Sequence, residues 1–525
     1  MKRTRSGFPI VRKSAFQFSG QLLGLLLALV VSHMIARRLG AGPEADAFIL
    51  GRRLITSVTE SLNQVVAIVF IPMVAAQAAA GASVWAIVSR TVGPALVCGA
   101  GLSMLFLLGA SGIVKQLAPA FDPGAREIAQ SVIVALSLSF PAVVGSIALV
   151  SFCNVQGAFG APAAVRQIPR AAVAVALALA LGGSVAITAA WAYTIAAYGT
   201  AAVMLLIALQ LHRQTPCSGL PRPEGAGAPA LARRSLAALM LTTGSLSFLW
   251  IETYVAAAQG AGHVTFLEYS QRLGSLLGHT LAAALMLVVF TDLTRRAEAG
   301  ETSMLGAVFQ RATVLGLAML MPVTLGVVAN AGALVELVLN YGSFAGDTGR
   351  DRLVLLVQII ATAPVTAWVL RMMYVRIVAD RSLPMVRLIA LALAADLIAR
   401  VFLFRVLTPW FGLVGIPLAL VLSPMAPMLV LTCCLRGTDA FSRGTQALGS
   451  VRPVLLTSAV VSVAVVGATL CIPHVLTGLS FKSVAAWQLV GSALAGAAVI
   501  ALSVLVFQVR PRLEERAAGG VNATG

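Results

Sequence analysis

Gly40-Ala41-Gly42, opening an apolar stretch that carries Arg53-Leu54, has an echo in Gly260-Ala261-Gly262, opening a second stretch that carries Arg272-Leu273. These two passages decide how the chain is read. Each is a glycine-rich turn that starts a hydrophobic helix with an arginine two to three turns inside it. At the α-helical rise the guanidinium lies roughly 12–15 Å from the helix mouth. An arginine at that depth in a membrane helix faces a cavity or a partner, because lipid does not solvate it. The two arginines are therefore read as a pseudo-symmetric pair lining one cavity.

Composition places those helices in a bilayer. The chain has 525 residues, of which 59% are hydrophobic and 11% charged, and its mean hydropathy is +0.94. No soluble domain of this length has that balance. Apolar runs of the length that crosses a membrane recur from near residue 14 to near residue 508. The net charge of +18 does not point to nucleic acid, since the basic residues sit in short loops between apolar runs. The six cysteines and five histidines are scattered, with no metal-site or disulfide spacing, so no metal and no cofactor is expected. The basic and then apolar N-terminus reads as an uncleaved first helix.

The pattern predicts an all-α polytopic membrane protein with about fourteen spans: 14–38, 44–76, 84–112, 127–153, 162–183, 186–211, 236–259, 264–291, 303–339, 353–378, 384–406, 411–435, 452–472 and 485–508. One clear linker, 212–235, holds Pro216, Pro221, Pro223 and Pro229 and has no apolar period. It divides the chain into an N-lobe of six helices (1–211) and a C-lobe of six (236–437). Two extra helices and a tail follow (438–525). Arginines and lysines such as Lys2, Arg166, Arg233, Arg295, Arg381 and Arg510 gather on one side. By the positive-inside rule that side, with both termini and the linker, is cytoplasmic.

The lobes read as a parallel repeat. Gly40 maps to Gly260 and Arg53 to Arg272. Phe121-Asp122-Pro123-Gly124 is echoed by Phe344-Ala345-Gly346-Asp347, and Pro141 by Pro364. Gly160-Ala161-Pro162 is echoed by Ser382-Leu383-Pro384. All of these shifts lie close to 220 residues, and the last two helices have no counterpart.

Several motifs, in order, resemble the MurJ/MviN lipid II flippases of the MOP exporter superfamily. Leu39-Gly40-Ala41-Gly42 with Ala45-Asp46-Ala47-Phe48 is similar to that family's turn into its second helix. Tyr269-Ser270-Gln271-Arg272-Leu273 is similar to its Tyr-Ala-Asp-Arg-Leu in helix eight. Ala118-Pro119-Ala120-Phe121-Asp122, Tyr341-Gly342-Ser343-Phe344 and Gly160-Ala161-Pro162 also match. The resemblance carries over Arg272, Asp46 and Arg53 as substrate-facing residues. The chain departs from the family in its first helix. The family has cavity arginines there, whereas Phe18-Ser19-Gly20-Gln21 leads into an apolar run up to His33 with none. The family's basic pair and Glu-Gly-Ala-Phe in helix two give way to Thr59-Glu60 and Asn63-Gln64.

Such a flippase handles a polyprenyl diphosphate bearing a saccharide. Arginine suits the phosphates because its planar fork bonds them bidentately. The candidate substrate residues are Arg272, Arg53, Asp46, Arg52 and Asn63, with Arg371 further behind. The alternative use of the arginines is to pair with Glu60, Glu252 or Glu268 and hold the bundle together. Glu60 and Glu252, inside apolar runs, are candidates for ion coupling or for counter-ions. Pro141 and Pro364 suit hinges. Nothing has the spacing of a P-loop, a catalytic triad or a metal cluster, so no enzymatic activity is expected. Transport would draw on substrate or ion gradients.

The expectation is a bacterial inner-membrane flippase for lipid II or a similar cell-wall precursor, working by alternating access. Its partners would be the lipid-linked saccharide, membrane lipids and the cell-wall or polysaccharide synthesis machinery. The rival readings are a flippase for another lipid-linked polysaccharide precursor, a cation-coupled MATE-like drug exporter, and a non-transporting scaffold of the same fold.

Overall fold

The structure is a computed structural model. It describes residues 23–494 except 25, 80–83, 157, 159, 180–183, 215–227, 299–301, 342–348, 380–382, 436–451, 476–479, 481 and 493. Most of the described residues are helical, and there is no strand among them. They form two compact units, Met1–Glu268 with Val338–Asp347, and Tyr269–Leu337 with Thr348–Gly525. Seven stretches among them are long and apolar enough to cross a membrane, beginning with Val92–Leu117 and Pro123–Asn154 and ending with Met385–Leu435. Leu246–Ala258 and Ser458–Pro473 are shorter apolar helices. The first and last of the fourteen spans read from the sequence fall partly outside the described residues.

The first unit starts with α1 (26–39), which ends at Gly40. There φ is +68°, a left-handed conformation that costs a residue with a Cβ about 1–2 kcal/mol. Next comes α2 (Pro43–Ala79), a single helix of 37 residues. At about 55 Å it outruns the bilayer core, as the length of that apolar run suggested. It packs against α4 (Pro123–Ser137), α5 (Phe140–Val155) and α9 (Ala228–Ala258). Between them α3 (Val84–Leu117) lies on α4 and α5, while α7 (Ile168–Leu179) lies on α8 (Val185–Gln214). The carboxylate of Asp122 caps α4 through the amide of Ala125, and Pro123 takes the first helical position, where its missing N–H costs nothing.

Most of α10 (His263–Glu298) lies in the second unit, although its first turns belong to the first. There α11 (Thr302–Ala329) packs on α13 (Arg350–Ala361), α14 (Ala363–Ala379) and the later helix Arg452–Val475. Trp368 of α14 is fully buried and donates its indole N–H to the carbonyl of Thr313 on α11.

Both proline echoes break their helices. One break, at Leu138–Ser139, separates α4 from α5 just before Pro141, and another at Thr362 separates α13 from α14 just before Pro364. Proline removes a donor and clashes with the preceding turn, so the same device acts at the same place in each repeat. Three further predicted spans are less continuous than they read. The fifth divides at Arg166–Gln167, ahead of Pro169, into α6 (Gly160–Val165) and α7. The ninth divides at Asn330, between α11 and α12 (Ala331–Leu339). The eleventh extends to Phe411 as α15 (Met385–Phe411), and the twelfth divides at Ser423–Pro424 into α16 (Gly415–Leu422) and α17 (Met425–Leu435). Of the 212–235 linker, 215–227 lie outside the described residues, while both of its ends are helical, 212–214 closing α8 and 228–235 opening α9.

Candidate functional site

The two Gly-Ala-Gly turns touch. Gly260 and Gly262 have φ of +125° and +85°, and a Cβ on Gly262 would stand 2.6 Å from the carbonyl oxygen of Ala41. Only glycine satisfies both the backbone angle and the approach. It leaves α10 with a first turn whose N-cap has no side chain to offer the exposed amides. Asp46, in the first turn of α2, fills that role from another helix. Its carboxylate accepts from the amides of Gly262 and Thr265 and, at 2.6 Å, from the Thr265 hydroxyl. Asp46 is fully buried, and the positive end of the α10 dipole compensates its charge. In this conformation both oxygens of Asp46 serve a helix end.

Two turns along α2 lies a cluster of ionised groups. Arg52 donates to Glu268 at 2.6 Å, and its guanidinium lies 5.9 Å from the centroid of the buried Phe48 ring. Arg53 reaches Glu268 at 3.6 Å and Glu252 at 3.7 Å. Glu252 sits on α9 and Glu268 on α10. The four residues are 8%, 4%, 5% and 7% exposed. The cluster is thus two cations against two anions, sealed from solvent, with both cations on one helix and the anions on two others. The carboxylate pairing weighed for these arginines in the sequence is what this conformation contains.

Arg272, one turn beyond Glu268 on α10, is half-buried, and so is Arg371 on α14. Arg272 belongs to the second unit and the Arg52 cluster to the first. The side chains of Glu60, Asn63 and Gln64 lie outside the described residues.

Sequence reasoning missed other polar contacts. His33 of α1, at the end of the run that departs from the family, lies 2.7 Å through Nδ1 from the carbonyl of Val338. It also meets Tyr341 edge-on at 4.7 Å. These partners are some 305 residues apart, and no local spacing signals them. Glu336 pairs with Arg350 at 3.0 Å, and Asp396 with Arg400 at 3.5 Å. The second is an i,i+4 pair inside an apolar helix, which spacing could have found. Among the described residues no group of three or more His, Cys, Asp or Glu could hold a metal ion.

Apolar helices broken at repeated prolines, with charged groups buried among them, define a polytopic membrane protein. The helix path is similar to that of solved MOP-superfamily structures. One titled "Lipid II flippase MurJ, inward closed conformation" has a TM-score of 0.66 at 13% identity, covering 93% of this chain and 98% of that one. An inward-facing multidrug resistance MATE family transporter has a TM-score of 0.59 at 16% identity, covering 79% and 94%. A MATE protein in its straight conformation has a TM-score of 0.58 at 15% identity, covering 82% and 96%. No curated protein sequence matches. The profile described as Lipid II flippase MurJ matches residues 35–486. The chain belongs to the MurJ lipid II flippase family.

Proposed function

We propose that the protein moves lipid II from the cytoplasmic to the outer leaflet of the bacterial inner membrane by alternating access. The observation that carries this reading is the family match over residues 35–486. The fold is compatible with this reading, because it carries arginines on the long helices α2 and α10. The diphosphate of a lipid-linked saccharide needs cationic, fork-shaped donors in a site shielded from lipid, and Arg272, Arg53 and Arg52 are of that type. Arg272 holds the diphosphate, and Asn63 bonds the headgroup.

With both termini cytoplasmic, the Gly-Ala-Gly turns face outward. The Asp46 bonds to Gly262 and Thr265 then shut the outer end of the transport path, and a turnover breaks and remakes them. The protein hands its substrate to the polymerising machinery outside. Glu252, a counter-ion here, is one candidate for ion coupling, and Glu60 is another.

Depletion of the resident lipid II flippase tests the reading. Cells expressing this chain should keep growing and keep lipid II accessible outside. Accumulation of lipid II in the inner leaflet, despite normal protein levels, would refute it.

A further inference from the structure

Arg371 is a cation where a cation needs company. It lies half-buried inside the apolar span Arg350–Ile377, and lipid does not solvate it. Buried carboxylates of the same unit are engaged elsewhere, Glu336 with Arg350 and Asp396 with Arg400. Among the described residues Arg371 has no hydrogen bond and no ion pair. The group on which its charge acts is a second basic side chain, His279 of α10. His279 is also half-buried and has no hydrogen bond among the described residues.

Packing brings the two together. Gly274 and Gly278 let α10 close on the break between α13 and α14. A Cβ on Gly274 would stand 2.8 Å from the carbonyl oxygen of Val357, and one on Gly278 would stand 2.6 Å from Cγ of Pro364. Arg371 follows Pro364 by one heptad, so it shares the face of α14 that meets α10. His279 follows Arg272 by one heptad, so it shares the face of α10 that carries Arg272, about 10 Å further along. Two basic groups with no acid between them do not hold helices together. They leave donors open and raise the local positive potential, which is the arrangement of an anion site. The guanidinium offers a fork of N–H groups, and the imidazole offers one N–H even when neutral. A carboxylate fits that set, taking the fork along one edge and keeping lone pairs for the third bond.

We propose that Arg371 and His279 form a second anion site, which binds a carboxylate of the substrate headgroup while Arg272 holds the diphosphate. The proposal rests on the lipid II reading above and deepens it. Lipid II carries a peptide with free carboxylates on its sugar. An extended peptide covers about 3.5 Å per residue, so those carboxylates reach a site about 10 Å from the diphosphate. A carrier bearing neutral sugars alone gives the pair nothing to bind and leaves its charge uncompensated. The pair is thus a basis for preferring a peptide-bearing precursor over other lipid-linked saccharides.

The test uses purified full-length protein in neutral detergent and two probes. One is lipid II with a shortened prenyl tail, and the other is the same molecule with every peptide carboxylate made as a carboxamide. The wild type should bind the acid form about tenfold more tightly than the amide form. Arg371→Gln should bind both forms alike, at the level of the wild type with the amide, and Arg371→Lys should recover part of the preference. Equal binding of the two probes by the wild type is what a site for free chloride, or a purely structural pair, predicts, and it overturns the proposal. So does a full preference in Arg371→Gln. Where that variant does not fold, His279→Leu decides: a several-fold smaller preference supports the site, and an undiminished one overturns it. A wild type that binds neither probe counts against the lipid II reading itself, which separates the two failures.

Discussion

At the scale of single residues, Asp46 shows how a side chain can be conspicuous in the sequence and have a role the sequence does not display. It stands in a motif, follows a glycine turn and sits in an apolar run, all of which draw attention to it. Its partners Gly262 and Thr265 are 216 and 219 residues away, and no periodicity reaches that far. The separation from Thr265 is close to the shift that relates the two Gly-Ala-Gly turns, so the contact joins neighbouring points of the two sequence echoes. Asp46→Ala leaves two buried amides without their acceptor and removes the charge facing the α10 dipole. It should lower stability by about 1–3 kcal/mol, with Asp46→Asn in between, as thermal unfolding in detergent would measure. An unchanged melting temperature in Asp46→Ala would mean that water serves those amides equally well.

At the scale of elements, the local rules of backbone chemistry carried the reading furthest. Gly40, Gly260 and Gly262 take the left-handed angles their turns require, and Pro141 and Pro364 interrupt their helices where the repeat placed them. These features were legible because glycine and proline act on their own few residues. The break at Asn330 was not, since it interrupts an apolar run without glycine or proline at the break. Its side chain donates to the Gly326 carbonyl behind it and to Thr469 and Ser492 of later helices, partners that only the fold supplies. Glu268 was legible only as a counter-ion, because its importance depends on Arg52 and Arg53 arriving from α2. Two outcomes belong to this scale. Gly262→Ala, which adds a methyl group 2.6 Å from the Ala41 carbonyl at a left-handed residue, should destabilise the protein by more than the 1–2 kcal/mol of the backbone term alone. Protein yield and thermal unfolding would measure it. If the paired breaks are hinges, the Pro141→Ala/Pro364→Ala double variant should insert and accumulate normally yet flip several-fold more slowly. Wild-type rates in that variant would reduce the breaks to packing features.

At the scale of the whole molecule, the membrane class followed from composition, and the family from motifs in order along the chain. Orientation rests on the distribution of lysine and arginine. In a cysteine-free variant, single cysteines in the 113–126 loop should react in intact cells with an impermeant maleimide, and those in the 212–235 linker should react only after lysis. Labelling of the linker in intact cells would invert the path. The central claim is that arginines inside the bundle carry the diphosphate of lipid II across the membrane, with Arg272 foremost. The most direct measurement reconstitutes the protein into liposomes containing lipid II and follows the fraction open to an external headgroup-modifying enzyme, for wild type, Arg272→Lys and Arg272→Ala at matched incorporation. The account predicts flipping by the wild type, a reduced rate for the lysine variant, which keeps the charge and loses the fork, and a loss of at least tenfold for the alanine variant. Wild-type flipping by well-incorporated Arg272→Ala would contradict it.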